Sequence, residues 1–355
     1  MTGGVKAIVE RARERHVFSG AAWSYGTSDE VLGAGTIGTL AWDGAPVNAD
    51  TWWDLASVTK PIVGLAVMSL IESGELLLDD TVGEHLPDFA NSDKATLTVR
   101  QLLNHTSGIP GQVPLYRWCD TAAELIEAIR DVPVAFAAGT DVIYSSQGFI
   151  VLGLIAQAVS ALPLDRLVAE RVTTPAGMGS TWFRMPTNLR AEAAATENCP
   201  WRGRILQGTV HDENADLLRG VAGHAGLFAP VTDLASLGQA LCRDGAGTKG
   251  RLLSPAGLAS MIEPATDTLP LRRSLAWQGR DRQNCPAGDL LGPRAYGHTG
   301  FTGTSLWVDP DLGLYIVLLT NRVHPSRSSQ AFVRVRRMVH NEAVRDATSQ
   351  LTSLR

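Results

Sequence analysis

The chain has 355 residues, of which 45% are hydrophobic and 19% charged, and its formal net charge is −5 at pH 7. This length allows one large or two medium domains with a substantial core, and the charge content is typical of a folded globular protein. The negative net charge and the lack of a basic cluster argue against a nucleic-acid partner. No stretch reaches the ~18 uninterrupted apolar residues of a membrane span, so we expect no membrane partner.

Cysteine spacing and the N-terminus indicate the cellular compartment. The first segment of the chain is charged and amphipathic and lacks the apolar region of a secretory signal. The cysteines are widely scattered and fit neither CxxC metal spacing nor a disulfide framework. His211 and His224 lack the compact third ligand that a zinc motif supplies. We therefore expect a cytoplasmic protein without a metal or organic cofactor. Its free thiols would be those of Cys119, Cys199, Cys242 and Cys285.

In chain order, the first predicted element is an amphipathic helix over about residues 3–16. Residues 20–26 and 36–42 are predicted to form a strand pair, which a further short strand follows. A helix is then predicted from Ser57, with Gly74 as its C-terminal cap. Because this helix is apolar on nearly all sides, we expect it at the centre of the protein rather than at its surface.

The middle of the chain is predicted to be helical and rich in loops, with helices over 122–130 and 147–160 between Pro and Gly breaks. Strand character returns at 304–310 and 314–321, two segments joined by an Asp-Pro-Asp-Leu-Gly turn. A last helix is predicted over roughly 328–347.

Strands near both ends with helices between them predict two domains. We expect an α/β domain of the α+β type, built from residues 1–75 and 225–355, that encloses a mostly helical domain of residues 76–224. The α/β domain would therefore be discontinuous in sequence. No internal repeat or low-complexity segment interrupts this pattern.

Residues 57–60 read Ser-Val-Thr-Lys at the start of the apolar helix. Residues three apart lie on the same helix face, so Lys60 can direct its amine at the Ser57 hydroxyl. Serine is a poor nucleophile until a base takes its proton, and a desolvated lysine can do so. The pattern suggests covalent acyl transfer, although it also arises by chance, and Ser57 alone would be explained as a helix N-cap.

Two further segments strengthen this interpretation. Tyr144-Ser-Ser146 opens the second apolar helix, and His298-Thr299-Gly300 precedes the late strand pair. In this order, Ser-x-x-Lys, Tyr-x-Ser and His-Thr-Gly resemble the three active-site elements of the penicillin-recognising serine enzymes. The resemblance is closer to the class C β-lactamases, their esterase relatives and D-Ala-D-Ala carboxypeptidases. It also includes the segments 210–215, 220–228 and 319–325.

This resemblance implies a class C β-lactamase-like fold, in which an antiparallel sheet is flanked by N- and C-terminal helices and the active site lies where it meets a mostly helical domain. It implies Ser57 as the acylated nucleophile and Lys60 as the group that holds or relays its proton. Tyr144 would be the general base for attack and the general acid toward the leaving group. Since a phenol of ordinary pKa ~10 is a poor base at neutral pH, we expect Lys60 to favour its phenolate.

The family pattern also implies an oxyanion hole formed by the backbone N–H groups of Ser57 and Phe301. His211 and Asp212 are expected in a loop that lines the pocket. The full set of expected oxyanion-hole and substrate-binding residues is Phe301, His298, Ser146, Thr299, Gly300, Asp212 and His211.

Two residues depart from the β-lactamase pattern. Ser146 stands where an asparagine usually closes the second motif, so a carboxamide that would bind a substrate amide is missing. His298 replaces the lysine that usually opens the third motif, and a neutral imidazole attracts a substrate carboxylate less than a permanent ammonium does. Both departures favour an esterase, an amide hydrolase or an acyl transferase acting on a less anionic substrate.

We therefore expect a serine hydrolase or transacylase that forms an acyl-Ser57 intermediate from a small-molecule ester or amide, with an acyl acceptor as an optional second substrate. The alternatives are a true β-lactamase or a D-Ala-D-Ala carboxypeptidase. A further alternative, from another class, is a sensor protein that binds or accepts an acyl group without turnover. The sequence does not choose between hydrolysis and transfer.

Overall fold

Six strands form one antiparallel sheet, to which residues from both ends of the described chain contribute. The computed structural model describes residues 4–328 and 331–353. Two short strand pairs lie outside this sheet. In spatial order the sheet consists of Val31–Gly38 (β2), Gly20–Gly26 (β1), Leu314–Thr320 (β10), Ser305–Asp309 (β9), Tyr296–Thr299 (β8) and Gln278–Gly279 (β7), and the short pairs are Trp53–Asp54 (β3) with Phe228–Ala229 (β6) and Asn198–Cys199 (β4) with Arg204–Ile205 (β5).

The helices lie mostly between the second and the seventh strand in sequence, with one long helix at the C-terminal end. This distribution agrees with the predicted class of strands at both ends and helices between them. The helices are Gly4–Glu14 (α1), Thr59–Glu72 (α2), Val82–His85 (α3), Val99–Leu103 (α4), Ala122–Asp131 (α5), Ser146–Ser160 (α6), Leu164–Val168 (α7), Thr174–Ala176 (α8), Glu213–Leu217 (α9), Val231–Cys242 (α10), Pro255–Ile262 (α11) and Phe332–Ser353 (α12).

Helices cover both faces of the sheet. On one face, α1 and α12 pack together over an apolar cluster that includes Val9, Phe18 and Trp307. On the other face, α10 lies against β1, β9 and β10. The centre of the sheet is therefore covered on both sides, which explains why every residue of β1 and of β10 is buried, whereas the edge strand β2 remains partly exposed.

The central helix α2 is buried along nearly its whole length, as its sequence predicts. Every side chain from Thr59 to Leu70 is buried. Its C-terminal end is also confirmed, because Gly74 adopts a left-handed φ of 76° and the Glu75 N–H donates to Leu70 O at 2.9 Å. One apolar cluster contains residues of α2, of α6 and of β10. Since this cluster crosses the boundaries at 75 and 224, the two-domain division stays a prediction.

The second strand lies five residues earlier than predicted. β2 begins at Val31, because a tight turn closes the hairpin when the Thr27 N–H donates to Glu30 O at 2.9 Å. The glycines of this segment are compatible with a strand, because they lie beneath aromatic rings of β1. A Cβ on Gly35 would lie 2.4 Å from the Trp23 ring. The packing of these rings on bare backbone is the reason why a glycine-rich segment forms a strand here.

The remaining predicted elements are confirmed with small shifts. The helices predicted over 122–130 and 147–160 are α5 and α6, and the late hairpin is β9 and β10. The His-Thr-Gly segment does not merely precede this hairpin, because His298 and Thr299 belong to β8 and pair with β9. Residue 3 of the first predicted helix, and residues 329–330 of the last one, lie outside the described residues.

No single helix in the described part of the chain is long and apolar enough to cross a membrane. α6 and the segment Leu164–Ala176 pass the same test of length and composition only as a pair, and they are bent by 82° relative to each other.

Asn321 joins the end of β10 to three other segments. Its Nδ2 atom donates to Ser19 Oγ at 2.8 Å, to Leu40 O at 3.1 Å and to Ala195 O at 3.0 Å. Its Oδ1 atom accepts from the backbone N–H groups of Ser19 and Gly20 at 3.2 and 3.1 Å. Because the side chain is buried, removing it leaves several backbone groups without partners.

We predict that Asn321→Ala lowers the free energy of unfolding by about 3 kcal/mol, the cost of leaving buried polar groups unpaired. Urea unfolding followed by circular dichroism measures this change. The matched control is Asn91→Ala, at an exposed asparagine, which should change stability by less than about 0.5 kcal/mol. Equal stabilities of the two variants would contradict this account of Asn321.

Candidate active site

Ser57 lies in one turn of 3-10 helix, Ala56–Val58, that continues directly into α2. Ala56, just before it, has a left-handed φ of 46°, a conformation that costs free energy in a residue with a Cβ. The Asp54 carboxylate holds this turn by accepting the Ala56 N–H at 2.8 Å, and it also accepts the His211 N–H at 2.6 Å. The strained turn and the pocket loop are thus fixed by one buried side chain.

Lys60 directs its amine at Ser57, as the sequence predicts. Its Nζ atom lies 3.1 Å from Ser57 Oγ, 3.4 Å from Ser146 Oγ and 3.1 Å from the backbone oxygen of His224. The side chain is fully buried. Burial lowers the pKa of Lys60 to about 7, although the charge of Asp212 acts in the opposite direction. A substantial fraction of Lys60 is therefore uncharged at neutral pH.

Tyr144 lies beside two basic side chains. Lys60 Nζ is 4.7 Å and Arg273 Cζ 5.7 Å from the centre of its ring. The hydroxyl is buried, and its contact with Ser57 falls outside ordinary hydrogen-bond geometry. Burial raises the pKa of Tyr144, and the opposing influences of Ser57 and Arg273 are smaller. Tyr144 is therefore a phenol at neutral pH.

The backbone around Tyr144 is fixed by α4 and the loop that follows it. His105 Nδ1 accepts the Ser145 N–H at 3.1 Å, and Ser145 Oγ in turn caps α6 by accepting the Gly148 N–H at 2.9 Å. Gly111 approaches so closely that a Cβ there would lie 1.7 Å from Tyr144 O. The Tyr-x-Ser motif is thus held on one side by the buried imidazole of His105 and on the other by the backbone of Gly111.

The turn after β8 is attached to the strand that precedes Ser57. Thr302 Oγ1 donates to Asp54 O at 2.7 Å, and Thr304 Oγ1 donates to Leu55 O at 2.9 Å. A Cβ on Gly300 would lie 2.4 Å from Leu55 O, so this close approach requires glycine. The result is that Phe301 and Ser57, which are 244 residues apart in sequence, line the same cleft.

His298 lies behind the cleft rather than in its wall. Its ring centre is 5.9 Å from that of Tyr144, and its Nδ1–H donates to Thr299 O at 2.9 Å. The opposite ring atom, Nε2, is buried without a partner among the described residues. Burial lowers the pKa of His298 well below its ordinary value, and the charges of Lys60 and Arg273 add to this effect. His298 is therefore a neutral imidazole.

A cleft of ≈ 230 Å³ brings most of the expected residues together. Lys60 lies beneath its floor, in contact with Ser57. Three expected residues, His298, Thr299 and Gly300, do not line it but position Phe301 from behind. The expected residues in its wall are Ser57, Tyr144, Ser146, His211, Asp212 and Phe301. The wall also contains Asn214 and Ala225, which lie in segments of the family resemblance, and Gln112, Tyr116 and Arg327, which the sequence does not indicate.

Arg327 joins the rim of the cleft to two buried acids. Its guanidinium donates to both oxygens of Glu197 and, at 2.7 Å, to Glu213 Oε1. His211 Nε2 lies 3.2 Å from Glu197 Oε2. Burial alone would raise the pKa of Glu197, but the hydrogen bonds from His211 and Arg327 lower it to about 2. This network fixes the His211 side of the cleft, and Arg327 also lies over the ring of Phe301.

The Beta-lactamase family model matches residues 5–337. The chain belongs to the Beta-lactamase family. This membership confirms the resemblance inferred from the three motifs and places the protein among the β-lactamase-related serine hydrolases. Two similar curated proteins are both described as a putative D-alanyl-D-alanine carboxypeptidase. One, from Escherichia coli (strain K12), is 31% identical over 79% of this chain and 71% of its own length. The other, from Salmonella agona (strain SL483), is 30% identical over 88% of this chain and 77% of its own length.

Solved structures of similar shape confirm the predicted fold class. EstCE1, described as a hydrolase with promiscuous acyltransferase activity, superposes with a TM-score of 0.78 at 20% identity, covering 96% of this chain and 97% of its own. A family VIII carboxylesterase superposes with a TM-score of 0.75 at 21% identity, covering 96% of each chain. A LovD simvastatin synthase variant from Aspergillus terreus gives 0.74 at 18% identity, covering 98% of this chain and 95% of its own.

The perturbed pKa of Lys60 can be measured without a substrate. We predict that Lys60 titrates with a midpoint of about 7, because its amine is fully buried. The measurement is NMR of the Cε groups in protein labelled with ¹³C-lysine, and the chain has only three other lysines, Lys6, Lys94 and Lys249. Lys60→Met assigns the signal. A midpoint near the ordinary value of ~10.4 would contradict the prediction.

Proposed function

We propose that this protein is a serine acyl-transfer enzyme in which Ser57 Oγ attacks an ester or amide carbonyl and forms an acyl-Ser57 intermediate. The observation that carries the proposal is the fully buried Lys60 amine, 3.1 Å from Ser57 Oγ. Its burial lowers the pKa of Lys60 to about 7. An uncharged amine at that distance can accept the Ser57 proton as the oxygen attacks. Ser57 itself remains partly exposed in the cleft, where a substrate can reach it.

In this proposal Lys60, rather than Tyr144, is the general base, which revises the role inferred from the sequence. The expected phenolate is opposed by burial, which raises the pKa of Tyr144. A phenol is instead suited to donate a proton. Tyr144 would protonate the leaving oxygen or nitrogen as its bond to the acyl carbon breaks, and Lys60, now an ammonium, would return a proton to Tyr144.

The oxyanion of the tetrahedral intermediate would accept hydrogen bonds from the backbone N–H groups of Ser57 and Phe301. The turn that holds Gly300 against Leu55 supports this assignment, because it brings Phe301 to the Ser57 side of the cleft. One such donor is worth roughly 2.7–4 kcal/mol of barrier in measured cases elsewhere. Water or an acceptor nucleophile, activated by Lys60 in the reverse proton path, would then release the acyl group.

An ester or amide of low negative charge is the substrate class that the cleft favours. His298 is neutral, and the acids Asp212 and Glu213 line the wall. The guanidinium of Arg327, also in the wall, is already paired with Glu197 and Glu213, so a substrate carboxylate would meet little unpaired positive charge. Ser146 supplies a hydroxyl at the position where the asparagine of the β-lactamase pattern would bind a substrate amide. EstCE1 and the carboxylesterase, by their descriptions, act as a hydrolase with acyltransferase activity and as an esterase. These descriptions support an esterase or transacylase.

The second candidate is a D-Ala-D-Ala carboxypeptidase, which the descriptions of the curated relatives favour. Turnover of a D-Ala-D-Ala peptide well above that of simple esters would select it over the main proposal. We also propose a cytoplasmic location and a small molecule as the substrate partner. The four cysteines are unpaired, as is usual in a reducing compartment, and fractionation of the source cells checks the location.

We predict steady hydrolysis of a short-chain p-nitrophenyl ester by the wild-type protein, and loss of more than about 10³-fold in kcat for Ser57→Ala. Intact-mass spectrometry should detect an acyl adduct on the wild type and none on Ser57→Ala. Ser349→Ala, at an exposed serine of α12, is the control and should keep full activity. A single stoichiometric burst without turnover would favour the sensor alternative, and faster hydrolysis of a chromogenic cephalosporin would favour a true β-lactamase.

We predict that Tyr144→Phe lowers kcat by ~10²–10⁴, because the leaving group then lacks its proton donor. The control is Tyr116→Phe in the wall of the same cleft, whose ring packs edge-on against Trp201 at 5.1 Å, and it should change kcat little. Esters with a good leaving group need less protonation and should suffer the smaller loss. Near-normal rates for Tyr144→Phe with all leaving groups would show that the proton takes another route.

A further inference from the structure

Lys60 has a third contact that the proposed chemistry does not use. Its Nζ atom donates to the backbone oxygen of His224 at 3.1 Å. The imidazole of the same residue lies against Asp212, with His224 Nε2 2.9 Å from Asp212 Oδ1. The His224 side chain is 1% exposed, whereas Asp212 reaches the cleft wall. One residue thus contacts the amine through its backbone and the carboxylate through its ring.

The carboxylate is held in a fixed direction. Asp212 Oδ1 also accepts the Ala215 N–H at 2.8 Å, so Asp212 caps α9. Burial alone would raise the pKa of Asp212, but the interactions with His224, the Ala215 N–H and Lys60 lower it well below its ordinary value. Asp212 is therefore ionised, and His224 Nε2 must carry the proton of that hydrogen bond. His224 Nδ1 is buried and finds no partner in the described part of the chain.

The loop that carries His224 is as closely packed as the rest of the site. A Cβ on Gly223 would lie 1.9 Å from Phe149 O, near the start of α6, and Gly226 has a left-handed φ of 120°. The backbone oxygen of His224 is therefore fixed relative to α6. From the opposite side, Arg202 donates to Val210 O at 2.7 Å and to Asp212 O at 3.3 Å, which fixes the Asp212 segment.

The charged and titratable groups that face Lys60 come from several elements. Arg273 acts on its amine with the same sign of charge, and Tyr144 is a phenol at neutral pH. His105 and His298 are both held neutral by burial. Asp212 is the carboxylate, among the described residues, whose charge acts on Lys60.

We propose that Asp212 and His224 are a positioning pair for Lys60. The His224 carbonyl holds the amine toward Ser57, and the His224 imidazole holds the Asp212 carboxylate in place. The negative charge of Asp212 then stabilises the ammonium that forms when Lys60 takes the Ser57 proton. The pair deepens the proposed function and rests on the role given there to Lys60. It also links the segment 210–215, from which the sequence predicts a pocket-lining loop, to the segment 220–228, for which the sequence predicts no role. Neither side chain exchanges a proton with the substrate.

The sign of the expected pH effect follows from the charge. Lys60 must be uncharged to act as a base, so kcat/KM falls as the pH drops through its pKa. The anion of Asp212 raises that pKa against the effect of burial. Asp212→Asn removes the anion, and the acid limb of kcat/KM should move to lower pH by about 1 unit, the lower end of the effect of a nearby opposite charge. The plateau rate should fall as well, because the amine becomes a weaker base.

The test measures kcat/KM against pH for the ester substrate and, in parallel, the ¹³C titration of Lys60. Asp212→Asn and His224→Ala should both lower the acid limb and the Lys60 midpoint. His224→Gln keeps a side-chain N–H donor and should restore both toward the wild-type values. Asp120→Asn removes one exposed negative charge elsewhere and should move neither. A merely structural role would lower the rates without moving the limb.

Two readouts separate the possible failures. If the wild type is active and neither the acid limb nor the Lys60 midpoint moves in the folded variants, the positioning pair is overturned. If the wild type hydrolyses no ester and forms no acyl adduct, the proposed function fails, and the Lys60 midpoint alone decides whether Asp212 acts on the amine. If Asp212→Asn does not fold, the comparison of His224→Ala with His224→Gln still decides the question.

Discussion

A lysine amine without access to water is the constraint around which this active site is built. An isolated ammonium is very costly to bury, so Lys60 must be either paired or uncharged. The structure surrounds its amine with three oxygens, those of Ser57, Ser146 and the His224 carbonyl, and with the aromatic face of Tyr144. Dipoles of this kind satisfy the hydrogen bonds of the amine without fully compensating its charge. The buried position of α2 meets this requirement, because a helix that is enclosed on nearly every side keeps the amine away from water.

Contacts of bare backbone bring the other groups to this helix. Gly300 lets the turn after β8 touch the strand before Ser57, and Gly111 lets the 105–111 loop touch Tyr144. In both cases a Cβ would lie under 2.5 Å from a carbonyl oxygen, so even alanine would separate the segments. The site is thus assembled from three distant parts of the chain by close approaches that side chains would prevent. The relative positions of the site residues are therefore fixed by packing of the main chain.

The sequence predicts the local parts of this arrangement and misses the long-range ones. Ser57 and Lys60 lie one turn apart, so their contact follows from helix geometry alone, and Tyr144 follows from the family resemblance. Arg273 and Arg327 carry no local motif, because their roles depend on which distant ring or acid they meet. The general base is a similar case, since the sequence indicates Tyr144 for this role and our proposal gives it to Lys60. Whether an amine or a phenol holds the proton depends on how deeply each is buried, and the sequence gives no measure of burial for a single atom.

The choice between these two bases is a choice between states of equal net charge. Uncharged Lys60 with phenolic Tyr144 differs from ammonium with phenolate only in the position of one proton. In a buried site the second state separates charge that no solvent screens, so the free enzyme favours the first. In the proposed mechanism, attack by Ser57 would change this balance, because negative charge would develop on the substrate oxygen while Lys60 becomes positive. The ammonium is therefore stabilised in the transition state more than in the ground state, and only such differential stabilisation lowers a barrier. Asp212 favours the positive charge of Lys60, and in the proposed positioning pair it would set how readily Lys60 becomes charged, whereas the buried Arg273 opposes that charge.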